Sequence, residues 1–227
     1  MLSISFNMSS QTGNTNYGTN ALSDISSGDY NTAFGYQSLE NNTSGSHNTA
    51  LGVSALRTQT SGDYNTALGN FALYTNSSGY SNVGIGYYSL FTNTGNGNTA
   101  VGVRSLQENT TADYNTAFGY YSLRYNTTGS SNVAAGYLSL EDNTSGSYNT
   151  AIGLSSLGDN TTGNYNVAVG ANALDKNTTG YNNTAIGYEA LEENSTGDYN
   201  VAVGGTALEK NTTGYNNTAI GYEALEE

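Results

Sequence analysis

The chain has no cysteine, no proline and no tryptophan in its 227 residues. Without cysteine there is no disulfide framework, no thiolate zinc site and no thiol nucleophile. Basic residues are few, 5 Lys+Arg against 18 Asp+Glu, and the formal charge of −13 argues against a phosphate-backbone partner. Leu, Ile, Val and Phe together number 38, too few for a conventional core in a chain of this length. No apolar run approaches the roughly 18 residues that a membrane span requires. The start, Met1-Leu2-Ser3-Ile4-Ser5-Phe6, lacks the charged and long apolar regions of an ordinary secretory signal. Asn, Thr, Gly and Ser fill the chain instead, 118 of 227 residues. Composition alone allows either a disordered polar chain or a repeat that needs little apolar mass per unit.

A repeat is present. Asn recurs from Asn14, Asn31, Asn48 and Asn65 to Asn200 and Asn217 in steps of 17 residues, with a single step of 16 from Asn82 to Asn98. With that Asn as position 0, Gly always stands at +4 (Gly18 to Gly221) and Leu always at +8 (Leu22 to Leu225). Disorder gives no reason to keep Leu in phase. Thr or Val at +1, Ala at +2 and an aliphatic or Phe at +3 read as a short strand, and Gly at +4 as a bend. A second short strand is expected around +7 and the Leu at +8, followed by an Asn-Thr-Thr-Gly turn whose Asn stands at +11, with Ile25 and Gln59 as exceptions. These units are too short for hairpin domains, and their glycines would break a packing helix. They predict an all-β parallel β-solenoid of about 13 rungs spanning 14–227, with 1–13 as an N-terminal strand, cap or attachment segment. At about 4.8 Å per rung the rod is on the order of 60 Å long. Asn at 0 and +11 should form amide ladders along it.

The phrase Asn183-Thr184-Ala185-Ile186-Gly187-Tyr188-Glu189-Ala190-Leu191 resembles the head repeats of trimeric autotransporter adhesins and similar repeats of phage tail-fibre shafts. The resemblance covers residues 14–227. It implies a left-handed β-roll, three chains packed about one axis, and an adhesive extracellular, cell-surface or virion-surface role. The 17-residue period is longer than that family's usual repeat, and no neck, coiled-coil stalk or membrane anchor is visible in the sequence.

If +1 and +3 face inward, the opposite face carries Ala33, Ala50, Ala67, Ala100, Ala117, Ala151, Ala185 and Ala219, a flat row for packing chain against chain; the alternative is that Ala merely tolerates a crowded bend. One Tyr row precedes the Asn (Tyr30, Tyr64, Tyr114, Tyr148, Tyr165, Tyr199) and another follows the +4 Gly (Tyr36, Tyr87, Tyr120, Tyr137, Tyr188, Tyr222). Such rows can grip sugar rings or a partner protein, or shield core corners. The turns match the glycan acceptor pattern at Asn42, Asn76, Asn109, Asn126, Asn143, Asn160, Asn177, Asn194 and Asn211; plain turn chemistry is the alternative. His47, the one histidine, occupies a Tyr slot and reads as a surface stacking substitute. Acidic residues recur at +9 and +10, including Glu141, Asp142, Asp175, Glu192, Glu193, Glu209 and Glu226, as a solvated edge that Lys176 and Lys210 can relieve.

No catalytic constellation stands out, and no cofactor or metal is called for. The sequence therefore points to a non-enzymatic structural or adhesive fibre protein. Its expected partners are copies of itself, as a homotrimer or a head-to-tail filament, with surface glycans or a host receptor as candidate ligands. Neither nucleic acid nor membrane insertion is expected. The end at Leu225-Glu226-Glu227, part-way through a rung, is consistent with a fragment of a longer fibre or with end-to-end stacking. An ice- or polysaccharide-binding solenoid is the further alternative, disfavoured if Thr at +1 faces inward.

Overall fold

In the computed structural model, which describes residues 12–226, thirteen three-residue strands run from β1 (Thr15–Tyr17) to β13 (Thr218–Ile220). They form one parallel sheet in strict chain order. The register places each residue over its equivalent: Thr32 on Thr49, Ala33 on Ala50 and Phe34 on Leu51. This is the expected β-solenoid, and the described residues contain no helix. The proposed strand or cap at 1–13 falls almost wholly outside the described residues.

The interior is narrower than the sequence reading assumed, and that reverses the parity of the strand. Ala at +2 is fully buried at Ala33, Ala50, Ala67, Ala100, Ala117, Ala151 and Ala185, and nearly so at Ala219. The +3 residues point out: Leu51 is 55 % exposed and Phe118 46 %. The row of alanines assigned to chain-to-chain packing is therefore core, and Thr or Val at +1 is half-buried on the outer side. The reason is width. Gly84 stands where every other coil but the first, which has Asn16, carries Ala, and a Cβ there would lie 3.1 Å from Ser89 Oγ and 3.3 Å from Leu73 Cγ. One methyl fills the space between strand and opposite wall; Ile or Phe at that height has no room.

That opposite wall is the Leu column, fully buried from Leu39 to Leu191. No second strand forms there. Residues at +6 and +8 adopt left-handed backbone angles instead, with φ 57 at Gln37 and φ 49 at Leu39. The two left-handed residues turn successive N–H groups in opposite directions along the rod. Gln37 N–H donates back to Thr19 O at 3.0 Å, and Leu39 N–H donates forward to Ala55 O at 3.0 Å. Each coil is thus bonded to both neighbours without β geometry. Left-handed Leu is strained by roughly 1–2 kcal/mol per residue, and burial of the Leu side chain, worth a similar amount or more, offsets it.

The remaining core is polar and satisfied. Asn at 0 is buried in coil after coil. Asn48 Nδ2 spans its own coil to the Gly62 carbonyl at 2.8 Å, while Asn48 Oδ1 accepts the Asn65 backbone N–H at 2.9 Å. At +11 the expected amide ladder runs unbroken from Gln59 to Asn211: Asn126 donates to Asn109 at 2.8 Å, Asn143 to Asn126 at 2.7 Å, and Asn160 to Asn143 at 2.8 Å. Gln59, one of the two exceptions at +11, joins the column, since Asn76 Nδ2 donates to Gln59 Oε1 at 3.2 Å. Ser at +7 donates back to the bend glycine, as Ser105 does to Gly102 O at 3.0 Å. A thin core of Ala, Leu and bonded amides explains how 38 large apolar residues are enough.

Candidate functional site

Three outward surfaces carry side chains capable of recognition: the sheet face, the Tyr column before position 0, and the wall beyond the Gly bend. On the sheet face, the +3 residues form an apolar stripe that includes Phe34, Leu51, Phe118, Ile152, Ile186 and Ile220, each at least 41 % exposed. Sequence reasoning missed this stripe because it placed those residues inside. The signal was present: 0, +2, +4 and +8 barely vary from coil to coil, whereas +3 ranges from Ala135 to Phe118. Narrow interiors hold one residue type; outer faces do not.

Tyr30, Tyr64, Tyr114, Tyr148, Tyr165 and Tyr199 are all more than half exposed. Where this column is continuous its rings stack on one another. Tyr30, His47 and Tyr64 have successive centroids 5.0 Å apart, with planes 15° and 4° from parallel, and Tyr148 lies 5.0 Å from Tyr165 at 1°. His47 is thus the stacking substitute expected of it. Rings stacked along the rod cover each other's faces and leave edges and hydroxyls to solvent, which suits a stabilising ladder better than a sugar platform.

The glycan-acceptor reading of the turns does not survive. Asn42, Asn76, Asn109, Asn126, Asn143, Asn160, Asn177 and Asn194 are fully buried, their amides committed to the ladder and to turn carbonyls such as Gly45 O and Gly129 O. Asn211, half-buried on the last turn, donates to Asn194 at 2.9 Å. A folded rod does not present these nitrogens to a transferase; the Asn-Thr-Thr-Gly motif is turn and core chemistry.

Beyond the bend, the +6 and +9 columns change character along the rod. From the coil of Asn65 to that of Asn115 they carry Phe71 and Tyr74, Tyr88 and Phe91, Arg104 and Gln107, then Tyr121 and Arg124. From the coil of Asn132 onward the +9 column turns acidic, with Glu141, Asp175, Glu192, Glu209 and Glu226 and one interruption at Gly158, while +6 is acidic only at Glu189 and Glu223. Arg57 pairs with Glu40 at 2.7 Å and Arg124 with Glu141 at 3.6 Å; Lys176 pairs with Glu193, and Lys210 with Glu226 at 3.6 Å. The relief by lysines expected from the sequence is therefore present, though incomplete. Carboxylate oxygens of Glu189, Glu192 and Glu209 lie within 4.8 Å of one another. They are the donor type a hard divalent cation takes, although solvated acidic faces are common without one. Burial, then the charges of Asp159 and Glu192, push the Asp175 carboxyl up to about 6. Burial raises Glu141, Asp142 and Glu192 as well.

This ladder sets a pH dependence. A carboxyl whose folded pKa is raised holds its proton in the rod where the unfolded chain has released it. Stability therefore falls as pH rises from the ordinary Asp range through about 6 for Asp175. Asp175→Asn removes the repulsion from Asp159 and Glu192. Near neutral pH it is expected to stabilise the rod by about 1 kcal/mol, after allowing for water on the exposed side. Thermal melts at pH 4 and pH 8 check this, since the gain should be confined to the higher pH. Equal effects at both would remove the electrostatic cause.

The fold and its stripes thus define a β-solenoid repeat rod. No family model, curated protein or solved structure was found to match the chain.

Proposed function

We propose that the chain is a structural rod of a surface fibre that packs through its sheet face against copies of itself. The supporting observation is the apolar +3 stripe, continuous over the strands and flanked by half-buried Thr or Val at +1. An apolar surface of this length exceeds what monomeric proteins normally leave in water. In a rotationally symmetric assembly each +3 residue meets its own copy at the same height, so the irregular series of Phe, Leu, Ile, Val and Ala packs layer by layer. The resemblance to adhesin heads and tail-fibre shafts supports the same arrangement and a cell- or virion-surface location. Ice binding gains one premise, because Thr at +1 faces outward after all. It loses another, because the uneven +3 series interrupts the regular lattice such a face requires.

Light scattering of the full chain across a dilution series tests the reading. A discrete oligomer is expected, and Phe118→Asp with Ile152→Asp should yield monomers with an unchanged far-UV spectrum. A monomeric wild type, or a double variant of unchanged mass, would refute sheet-face packing. Filaments lengthening with concentration would point to end-to-end stacking instead.

A further inference from the structure

We propose that the wall beyond the Gly bend, around the coil of Asn98, is a binding site for a neutral oligosaccharide chain. The site is independent of how rods pack, since it lies round the bend from the sheet face. Two observations converge on it.

The first is aromatic geometry. Unlike the stacked column before position 0, several rings here are tilted against their neighbours. Tyr87 and Tyr88 have centroids 4.4 Å apart at 63°, and Phe71 and Tyr87 are at 80°. Tyr88 and Phe91 lie 4.6 Å apart at 31°. Tilted rings leave faces uncovered, and Tyr87 is 44 % exposed; Tyr120, by contrast, stacks on Tyr121 at 4.0 Å and on Tyr137 at 5.7 Å. Two coils further along, Arg124 lies over Tyr121 at 4.3 Å and over Tyr125 at 4.5 Å, which places its guanidinium beside the platform. Between the two aromatic steps lies a polar rung, Arg104 and Gln107.

The second is hydrogen-bond accounting. Among the described residues, two buried side-chain polar atoms lack a partner, Gln107 Oε1 and Arg124 Nε. Both belong to this platform, at the same repeat position in adjacent coils and so about 4.8 Å apart along the rod. Gln107 Nε2 is held by Glu108 Oε1 at 3.0 Å, which leaves the acceptor end free. Arg124 pairs with Glu141 through Nη1, which leaves Nε free. Such orphans are costly unless another molecule completes them. Both side chains are only half-buried, so a small rotation presents each atom to a ligand.

One orphan accepts and the other donates. A sugar hydroxyl does both, and a pyranose ring also offers an apolar C–H face to Tyr or Phe. A neutral pyranose thus combines a stacking face with paired donor-acceptor groups while carrying no charge. Neutrality matters, because a formal charge of −13 repels polyanions. The one coil of 16 residues, starting at Asn82, carries Tyr87, Tyr88 and Phe91 in register with the other coils, its missing residue lying in the Asn93-Thr94-Gly95 turn.

The experiment is calorimetric titration of the full chain with cellohexaose, chitohexaose and maltohexaose, with hexagalacturonate as the charged comparison. At least one neutral hexasaccharide should bind, and Tyr88→Ala or Tyr121→Ala should weaken it about tenfold. Tyr64→Ala, in the stacked column, should leave affinity unchanged. Gln107→Leu separates recognition from structure: it removes an orphan acceptor, so thermal stability should hold or rise while affinity falls. Absence of binding to all three neutral chains would overturn the site, as would affinity indifferent to Tyr121 and Gln107. Binding confined to hexagalacturonate and lost with salt would replace it by ion pairing at Arg104.

Discussion

Gly119→Ala is expected to cut the rod into two separately melting halves. A Cβ at Gly119 would lie 2.2 Å from Gly136 O, and the backbone there holds φ +137, a conformation that L side chains rarely adopt. Neither partner can move away, because the Gly136 carbonyl belongs to the next coil's own bend, which faces Gly153 at the same distance. Strain of this kind, in backbone rather than in a flexible side-chain end, should cost about 4 kcal/mol or more. A solenoid's stability is close to a sum of coil terms and nearest-neighbour interfaces. A single broken interface therefore lowers cooperativity as well as stability. Calorimetry should show two transitions, and limited proteolysis a new cut near the bend. Gly205→Ala is the matched comparison: its Cβ would meet Tyr222 ring atoms at 3.3 and 3.5 Å and Tyr188 O at an ordinary 4.0 Å, with no left-handed φ. A single wild-type-like transition for Gly119→Ala would refute the close-approach account.

What the sequence revealed, and what it hid, follows from the width of the coil. Period, rung count and amide ladders were legible because Asn, Gly and Leu cannot be replaced where they stand. The Gly at +4 meets the next coil's carbonyl, and the Asn at 0 bridges the coil to its turn. Strand parity was not legible by the ordinary rule that large apolar residues point inward. That rule presumes a core wide enough for Ile or Phe, and the contacts at Gly84 show room for a methyl only. Coil-to-coil invariance was the better guide, since the alanines vary least after Asn, Gly and Leu. The absent second strand had no signal, because nothing about Leu announces a left-handed backbone. The glycan-acceptor reading failed for a related reason: Asn-Thr-Thr-Gly looks like an exposed turn, yet its Asn points into the core. On the outer wall, Tyr87 and Tyr120 were visible in a row, but Gln107 and Arg124 joined them only once +6 and +9 were seen on one surface.

Asn126→Asp should be the most damaging near-isosteric change in the ladder, and its damage should depend on pH. Asn126 Nδ2 donates to Asn109 Oδ1 at 2.8 Å and to Gly129 O at 2.9 Å, while its Oδ1 accepts from Asn143 at 2.7 Å. An aspartate keeps the acceptance and loses both donations, setting an ionised oxygen against two acceptors in a fully buried site. The expected cost at pH 7 is about 3 kcal/mol or more. The carboxyl escapes part of this by taking up a proton, so its folded pKa rises above the ordinary Asp value. The folded variant then holds a proton that the unfolded chain releases. The penalty is small below the unfolded pKa, about 4, and grows as pH rises toward the folded one. Even at low pH a residual deficit of about 1 kcal/mol should persist, because one O–H cannot serve two acceptors. Melting temperatures read against wild type at pH 3.5 and pH 7 isolate this from the acidic columns, which contribute to both proteins alike. Asn211→Asp gives the contrast: its amide is only half-buried, so water solvates the charge and the loss should be much smaller. A pH-independent penalty at Asn126, or equal penalties at both positions, would mean that buried amide donation is not what holds successive turns together.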